Sequence, residues 1–89
     1  MLFMTIFTYE PEKRDEVIKR RAEKGAMIPG GMKVLGEWSD AAGGRVFRLV
    51  EHDDPKLGLA ASLAWSDLGK IEVVGVIATE ESVKFATGK

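Results

Sequence analysis

The order of secondary-structure signals along this chain predicts an α+β domain, a four-stranded antiparallel sheet with two helices on one face. Three observations carry that expectation. The signals run β-α-β-β-α-β within 89 residues, a length that suits one hydrophobic core. The chain is 45% hydrophobic, enough to fill such a core. The first and last strand-like segments are apolar on both of their faces, as strands covered on both sides are.

Strand one is Leu2 to Tyr9, rich in β-branched and aromatic residues and stopped by Glu10-Pro11, where proline's missing N–H suits the first turn of a helix. From Pro11 to about Lys24 the charges alternate, with Asp15/Lys19 and Glu16/Arg20 four apart, and Gly25 is placed to end the helix. Val17, Ile18 and Ala22 give it one narrow apolar stripe. Pro29-Gly30-Gly31 is turn chemistry, after which Met32 to Ser39 and Arg45 to Glu51 form a hairpin across Asp40 to Gly44. Asp54-Pro55 caps a second helix, whose Leu57, Ala60, Ala61, Leu63, Ala64 and Leu68 recur at helical spacing until Gly69. Ile71 to Ala78 is strand four, and Thr79-Glu80-Glu81 caps a short helix through Phe85, with the last three residues fraying. In one domain over residues 1–89, this order is a ferredoxin-like split.

Two helices cover one face of such a sheet. Strand one nevertheless presents Leu2, Met4 and Ile6 on one side and Phe3, Phe7 and Tyr9 on the other, and strand four repeats the pattern. The second apolar face predicts a homodimer packed sheet to sheet. Pairing Ser39 with Gly44 sets Trp38 opposite Arg45, Gly36 opposite Phe47 and Val34 opposite Leu49. That face is assigned to the helices, with Gly36 making room for Phe47 and Arg45 over Trp38. The other face, holding Lys33, Leu35, Glu37, Val46, Arg48 and Val50, is assigned to the space between subunits. Arg48 near Glu37 is open to two readings. Its planar fork suits a carboxylate or phosphate in a small pocket, and an ion pair across the dimer seam accounts for it equally.

The 13 basic and 14 acidic side chains leave a net charge of −1, without the surplus a nucleic-acid or anionic-membrane partner requires. There is no cysteine and one histidine, so neither a thiolate nucleophile nor a multi-histidine metal site forms within one chain. No export signal or membrane span is read, and the expected location is cytoplasmic. Walker, G-x-G-x-x-G, G-x-S-x-G and H-E-x-x-H patterns are lacking. His52, in His52-Asp53-Asp54-Pro55, reads as an exposed turn residue, and the two aspartates as helix-entrance residues. RNA-recognition modules share the element order, but Arg45 to Glu51 lacks their paired aromatics. Lys19-Arg20-Arg21 complements the helix dipole and needs no partner.

Met32-Lys33-Val34-Leu35-Gly36-Glu37-Trp38, the Gly-Gly-x-x-Phe of Gly43 to Phe47, Val50-Glu51-His52-Asp53-Asp54-Pro55, and Trp65-Ser66-Asp67-Leu68 before Ile71-Glu72-Val73-Val74 together resemble an uncharacterised family of the dimeric α/β-barrel, ferredoxin-like superfamily. The resemblance implies a two-subunit barrel of facing sheets and transfers no activity. Haem enzymes of that superfamily carry a histidine on a helix facing the pocket, whereas His52 stands in a turn. Its cofactor-free oxygenases rely on asparagine with tryptophan and histidine, and this chain has no asparagine or glutamine. No cofactor is expected.

Trp65, late in the second helix, reads as core or pocket edge, and Asp67, ill-placed for the dipole, should have a specific partner. The functional expectation is a homodimeric barrel binding a small organic or anionic molecule between sheet and helices. Glu37 and Arg48 are its polar anchors, and Trp65 and Tyr9 its apolar walls. The alternatives are a cofactor-independent isomerase or monooxygenase on a small organic substrate, and a pure oligomerisation module.

Overall fold

The computed structural model describes residues 1–88. Its strands are β1 (Leu2–Thr8), β2 (Lys33–Ser39), β3 (Arg45–Glu51) and β4 (Lys70–Val76); its helices are α1 (Arg14–Lys24, entered by a 3-10 turn at Pro11–Lys13), α2 (Pro55–Leu63) and α3 (Thr79–Thr87). The sheet order is β2-β3-β1-β4 with every pairing antiparallel. This is the expected α+β, ferredoxin-like arrangement, with the chain's two central strands β1 and β3 side by side.

The element boundaries follow local chemistry. Pro11 opens the turn into α1, and the Gly25 N–H closes the helix on the Arg21 carbonyl at 2.9 Å. The Asp54 carboxylate accepts from the Lys56 N–H at 3.0 Å, capping α2. That helix stops at Leu63 rather than running to Leu68. The Ala64 carbonyl, which would have accepted from the Leu68 N–H in a continued helix, takes a hydrogen bond from Arg20 at 2.9 Å instead. Leu68 turns to the Trp65 carbonyl, and Trp65 therefore sits in the turn after the helix. At the other end of the chain, Thr87 is still helical and Gly88 caps α3, so the expected fraying does not begin at 87; Lys89 lies outside the described residues.

The hairpin register differs from the expected one by two residues. Trp38 pairs with Phe47, Glu37 with Arg48 and Ser39 with Val46. The slip is even, so these residues keep their faces. A bulge between Val34 and Gly36 then places Val34 opposite Val50, on the other face from the one expected. Gly36 makes room for Trp38 rather than Phe47, because a Cβ there would meet the indole ring. Arg45 lies over Phe47, at 5.2 Å from the ring centroid, rather than over Trp38. Its Nε also donates to Asp40 Oδ2 at 2.9 Å, while Asp40 Oδ1 accepts from the Ala42 N–H, bracing the hairpin turn.

The larger correction concerns the faces. Register puts Phe3, Thr5 and Phe7 of β1 level with Val50, Arg48 and Val46 of β3, and Thr5 and Phe7 level with Val73 and Ile71 of β4. This face, which includes Glu37 and Arg48, lies under α1 and the α2 region: Arg21 of α1 forms an ion pair with Glu37 at 2.7 Å, and Trp65 meets Phe7 with ring centroids 5.9 Å apart. The face holding Leu2, Met4, Ile6, Phe47, Leu49, Trp38 and Val74 lies away from α1 and α2 among the described residues, and Trp38 is 55% exposed. The expected assignment is thus inverted. β1 and β4 are apolar on both sides, so the choice rested on the hairpin, and its charged residues are matched by a cation that α1 carries.

The densest packing lies at one end of the layer. Val17, Trp65 and Leu68 form the buried cluster, with Phe7, Tyr9, Met27, Ala64 and Ile71 against it. Gly69 is sterically required here, because a Cβ would run into the Thr8 carbonyl and stand 2.7 Å from the Phe7 ring. Gly69→Ala should therefore cost about 1–3 kcal/mol, since backbone has to move. Gly36→Ala, which needs only the half-exposed Trp38 ring to swing away, should cost well under that, and urea unfolding of the two variants measures the contrast.

Candidate functional site

Away from the packed end, helices and sheet stand apart and leave a cavity of about 490 Å³. Its floor is the helix-facing side of the sheet, with Phe3, Thr5 and Phe7 from β1, Val46, Arg48 and Val50 from β3, Glu37 and Ser39 from β2, and Ile71 and Val73 from β4. Val17, Ile18, Arg21 and Ala22 of α1, Gly58, Ala61 and Ser62 of α2, and Trp65 close it from above. The volume falls in the range of small-molecule sites, and so does a largely apolar wall with a few converging polar groups.

The four residues singled out from the sequence, Tyr9, Glu37, Arg48 and Trp65, all line this cavity. Arg48 and Glu37 touch, with Arg48 Nε donating to Glu37 Oε2 at 2.7 Å. The second Glu37 oxygen, Oε1, meets Arg21 at 2.7 Å. One carboxylate thus lies between two guanidinium groups, and the cluster carries one net positive charge. Among the described residues, Nε is the only part of the Arg48 fork with a hydrogen-bond acceptor; its two terminal amino groups have none. The Arg48 side chain is 13% exposed, and those donors are left to the solvent that reaches the cavity. Of the two readings of Arg48, the ion pair is present, but it is made within the chain on the helix-covered face.

Trp65 closes the packed end. It is 6% exposed, its Nε1–H donates to the Ala26 carbonyl at 3.3 Å, and Tyr9 reaches it through Phe7. Asp67 has the specific partner its position calls for. Arg20 NH1 and NH2 donate to its two oxygens, each at 2.7 Å, in the bidentate geometry that favours arginine. The same guanidinium lies 5.7 Å from the Trp65 ring centroid. Arg20 and Arg21, expected to need no partners, therefore tie α1 to the α2 turn and to the sheet respectively.

His52 is the main residue that sequence reasoning misplaced. It is 8% exposed rather than an exposed turn residue, stacks on Phe3 with ring centroids 4.8 Å apart, and lines the cavity. The signal was available: His52 continues the 48–50–52 alternation of β3, which points every second side chain to the same face. Of its neighbours, Asp53 binds the N-terminal amino group at 2.7 Å and Asp54 caps α2. Among the described residues, no group of three or more histidine, aspartate or glutamate side chains is placed to hold a metal ion. None of their helices is long and apolar enough to cross a membrane.

The whole chain, residues 1–89, matches the family model described as a domain of unknown function, DUF3303. The chain belongs to that family. No curated protein and no solved structure matches it. Within this DUF3303 domain the reading of the cavity therefore rests on its own geometry.

The Asp67 carboxyl is held below the ordinary carboxylate range, first by its hydrogen bonds from Arg20 and then by that residue's charge. A group depressed in the folded state stabilises it above the unfolded pKa and loses that contribution as pH falls through the folded pKa. Asp67→Asn should therefore lower Tm at pH 7, and its deficit against wild type should shrink below about pH 4. Thermal unfolding followed from pH 7 to pH 2 measures this.

Proposed function

We propose that this DUF3303 domain binds a small organic anion in the cavity between sheet and helices, with Arg48 as the charge anchor, Glu37 and Arg21 holding it in place, and Tyr9 and Trp65 forming the apolar wall at one end. The observation that carries this reading is the state of the Arg48 fork. Its Nε is fixed on Glu37, while two terminal donors face an apolar-walled cavity with no protein acceptor. Planar carboxylates fit such a fork, and the surrounding side chains exclude much of the competing water.

Trp65 provides the readout. With Trp38→Phe, Trp65 is the sole tryptophan, and titration with 6-phenylhexanoate should change its emission saturably. Arg48→Met leaves Glu37 paired with Arg21 and should weaken that binding at least tenfold, the order expected for a charge-assisted hydrogen bond. An unchanged affinity in Arg48→Met overturns the reading, as does a lack of binding by the parent protein.

A second reading concerns assembly. The uncovered sheet face places Leu49 and Met4 beside Val74, and Trp38 and Phe47 beside Ile6, an apolar surface of the kind that monomers rarely leave in water. The supporting observation is that α1 and α2 lie on the opposite face. A second copy of the chain, applied sheet to sheet, gives the two-subunit barrel of the superfamily the sequence resembles. Native mass spectrometry should find a two-chain species, with any retained organic ligand as added mass. Trp38→Glu should shift that species to one chain without unfolding it.

A further inference from the structure

Four residues beyond Arg48, on the same face of the strand line, His52 ends the polar content of β3's inward side. The rise of a β-strand places the two backbones about 13 Å apart, with Val50, 1% exposed, between them as floor. The imidazole is buried, and its Nδ1 is sealed with no hydrogen-bond partner. A proton on that nitrogen would be a buried donor without an acceptor, which costs more than leaving a bare lone pair there. The ring proton therefore belongs on Nε2. That nitrogen lies on the edge of the ring nearest Gly58, where a Cβ would stand 3.6 Å from both Nε2 and Cε1. Gly58 brings no side chain to this edge of the ring, both residues line the cavity, and Nε2, unlike Nδ1, is not sealed.

We propose that His52 is the second polar contact of the ligand, donating from Nε2 to a carbonyl-type acceptor, and that the ligand is an elongated organic acid carrying that acceptor at the end away from its carboxylate. This rests on the reading of the cavity as a binding site. It narrows that reading from any organic anion to one with two separated polar groups. It also assigns His52 a role as a hydrogen-bond donor. A general base at Nε2 would need its proton on the sealed Nδ1.

The test uses a matched pair, 6-oxo-6-phenylhexanoate and 6-phenylhexanoate, which differ only in the ketone. Wild-type protein should bind the keto acid about fivefold more tightly, the gain expected of one hydrogen bond. His52→Phe, which keeps a ring on Phe3, should abolish that preference and bring the affinities for the two acids together. Gly58→Ala, which screens the imidazole edge and retains His52, should reduce the preference and guards against a folding defect in the first variant. The chain has one histidine, so a single pair of imidazole ¹⁵N resonances reports the tautomer, and Nε2 should be the protonated nitrogen. Equal binding of the two acids, a preference that survives His52→Phe, or a proton found on Nδ1 overturns the assignment of His52 while the cavity reading stands. Failure of both acids to bind overturns the cavity reading and the assignment together.

Discussion

The position of Glu37 between Arg48 and Arg21 is the constraint from which the rest of the layer follows. A carboxylate on the inward face of a sheet is tolerated only when its charge is answered. Arg48, its neighbour across the hairpin, answers one oxygen, and the other requires a cation from the layer above. Bringing Arg21 to that point fixes the rotation of α1. Val17, one helical turn earlier, is then directed into the cluster with Trp65 and Leu68. Arg20, next to Arg21, is directed sideways to Asp67 and the Ala64 carbonyl. The second contact ends α2 and places Trp65 in a turn. Helix rotation, helix length and the packed end of the core are thus linked through adjacent arginines that in the sequence look like an ordinary solvated run.

The element order, the hairpin, the Asp54 cap and the antiparallel sheet were legible because each depends on neighbours in sequence. Periodicity, Pro11 and Gly25 are local signals, and local signals place β1, α1 and β3 within a residue or two. Tyr9, Glu37, Arg48 and Trp65 were found because aromatic and charged residues stand out against a simple pattern. What could not be read were contacts between elements. The bulge at Val34/Gly36 depends on how β2 fits β3, the end of α2 on Arg20 from another helix, and the burial of His52 on Phe3 lying alongside it. The inverted faces have the same origin. Ranking the hairpin faces by apolar content treats the helices as purely apolar covers, whereas α1 brings Arg21 with it.

Once the polar face is turned inward, the apolar face is necessarily turned out. Trp38, folded over Gly36, and Leu49, Met4 and Val74 in one row across the strands present an apolar surface, with Glu72 of β4 beside Ile6 on the same face. Burying such a surface is favourable at about 25 cal/mol per Å² of apolar area, so the proposed face-to-face association and the inward charges would follow from one choice. On that proposal, substitutions on the outer face test assembly and substitutions around Arg48 test the cavity, with the sheet backbone between them.

The cavity, about 490 Å³ in volume, is open to solvent on one side, so water enters it and no empty void has to be sustained. Arg48, Thr5 and His52 give water some partners, which makes the unliganded state tolerable. The Phe3, Phe7, Val46, Val50 and Val73 walls give it none. Water held at a few points against apolar surface is readily displaced, and an apolar molecule that also satisfies the Arg48 fork gains from the displacement and from the charge together. The charges that hold α1 to the sheet at Glu37 thus leave beside them a space with both charged and apolar walls, and on that combination the proposed binding of an amphipathic acid rests.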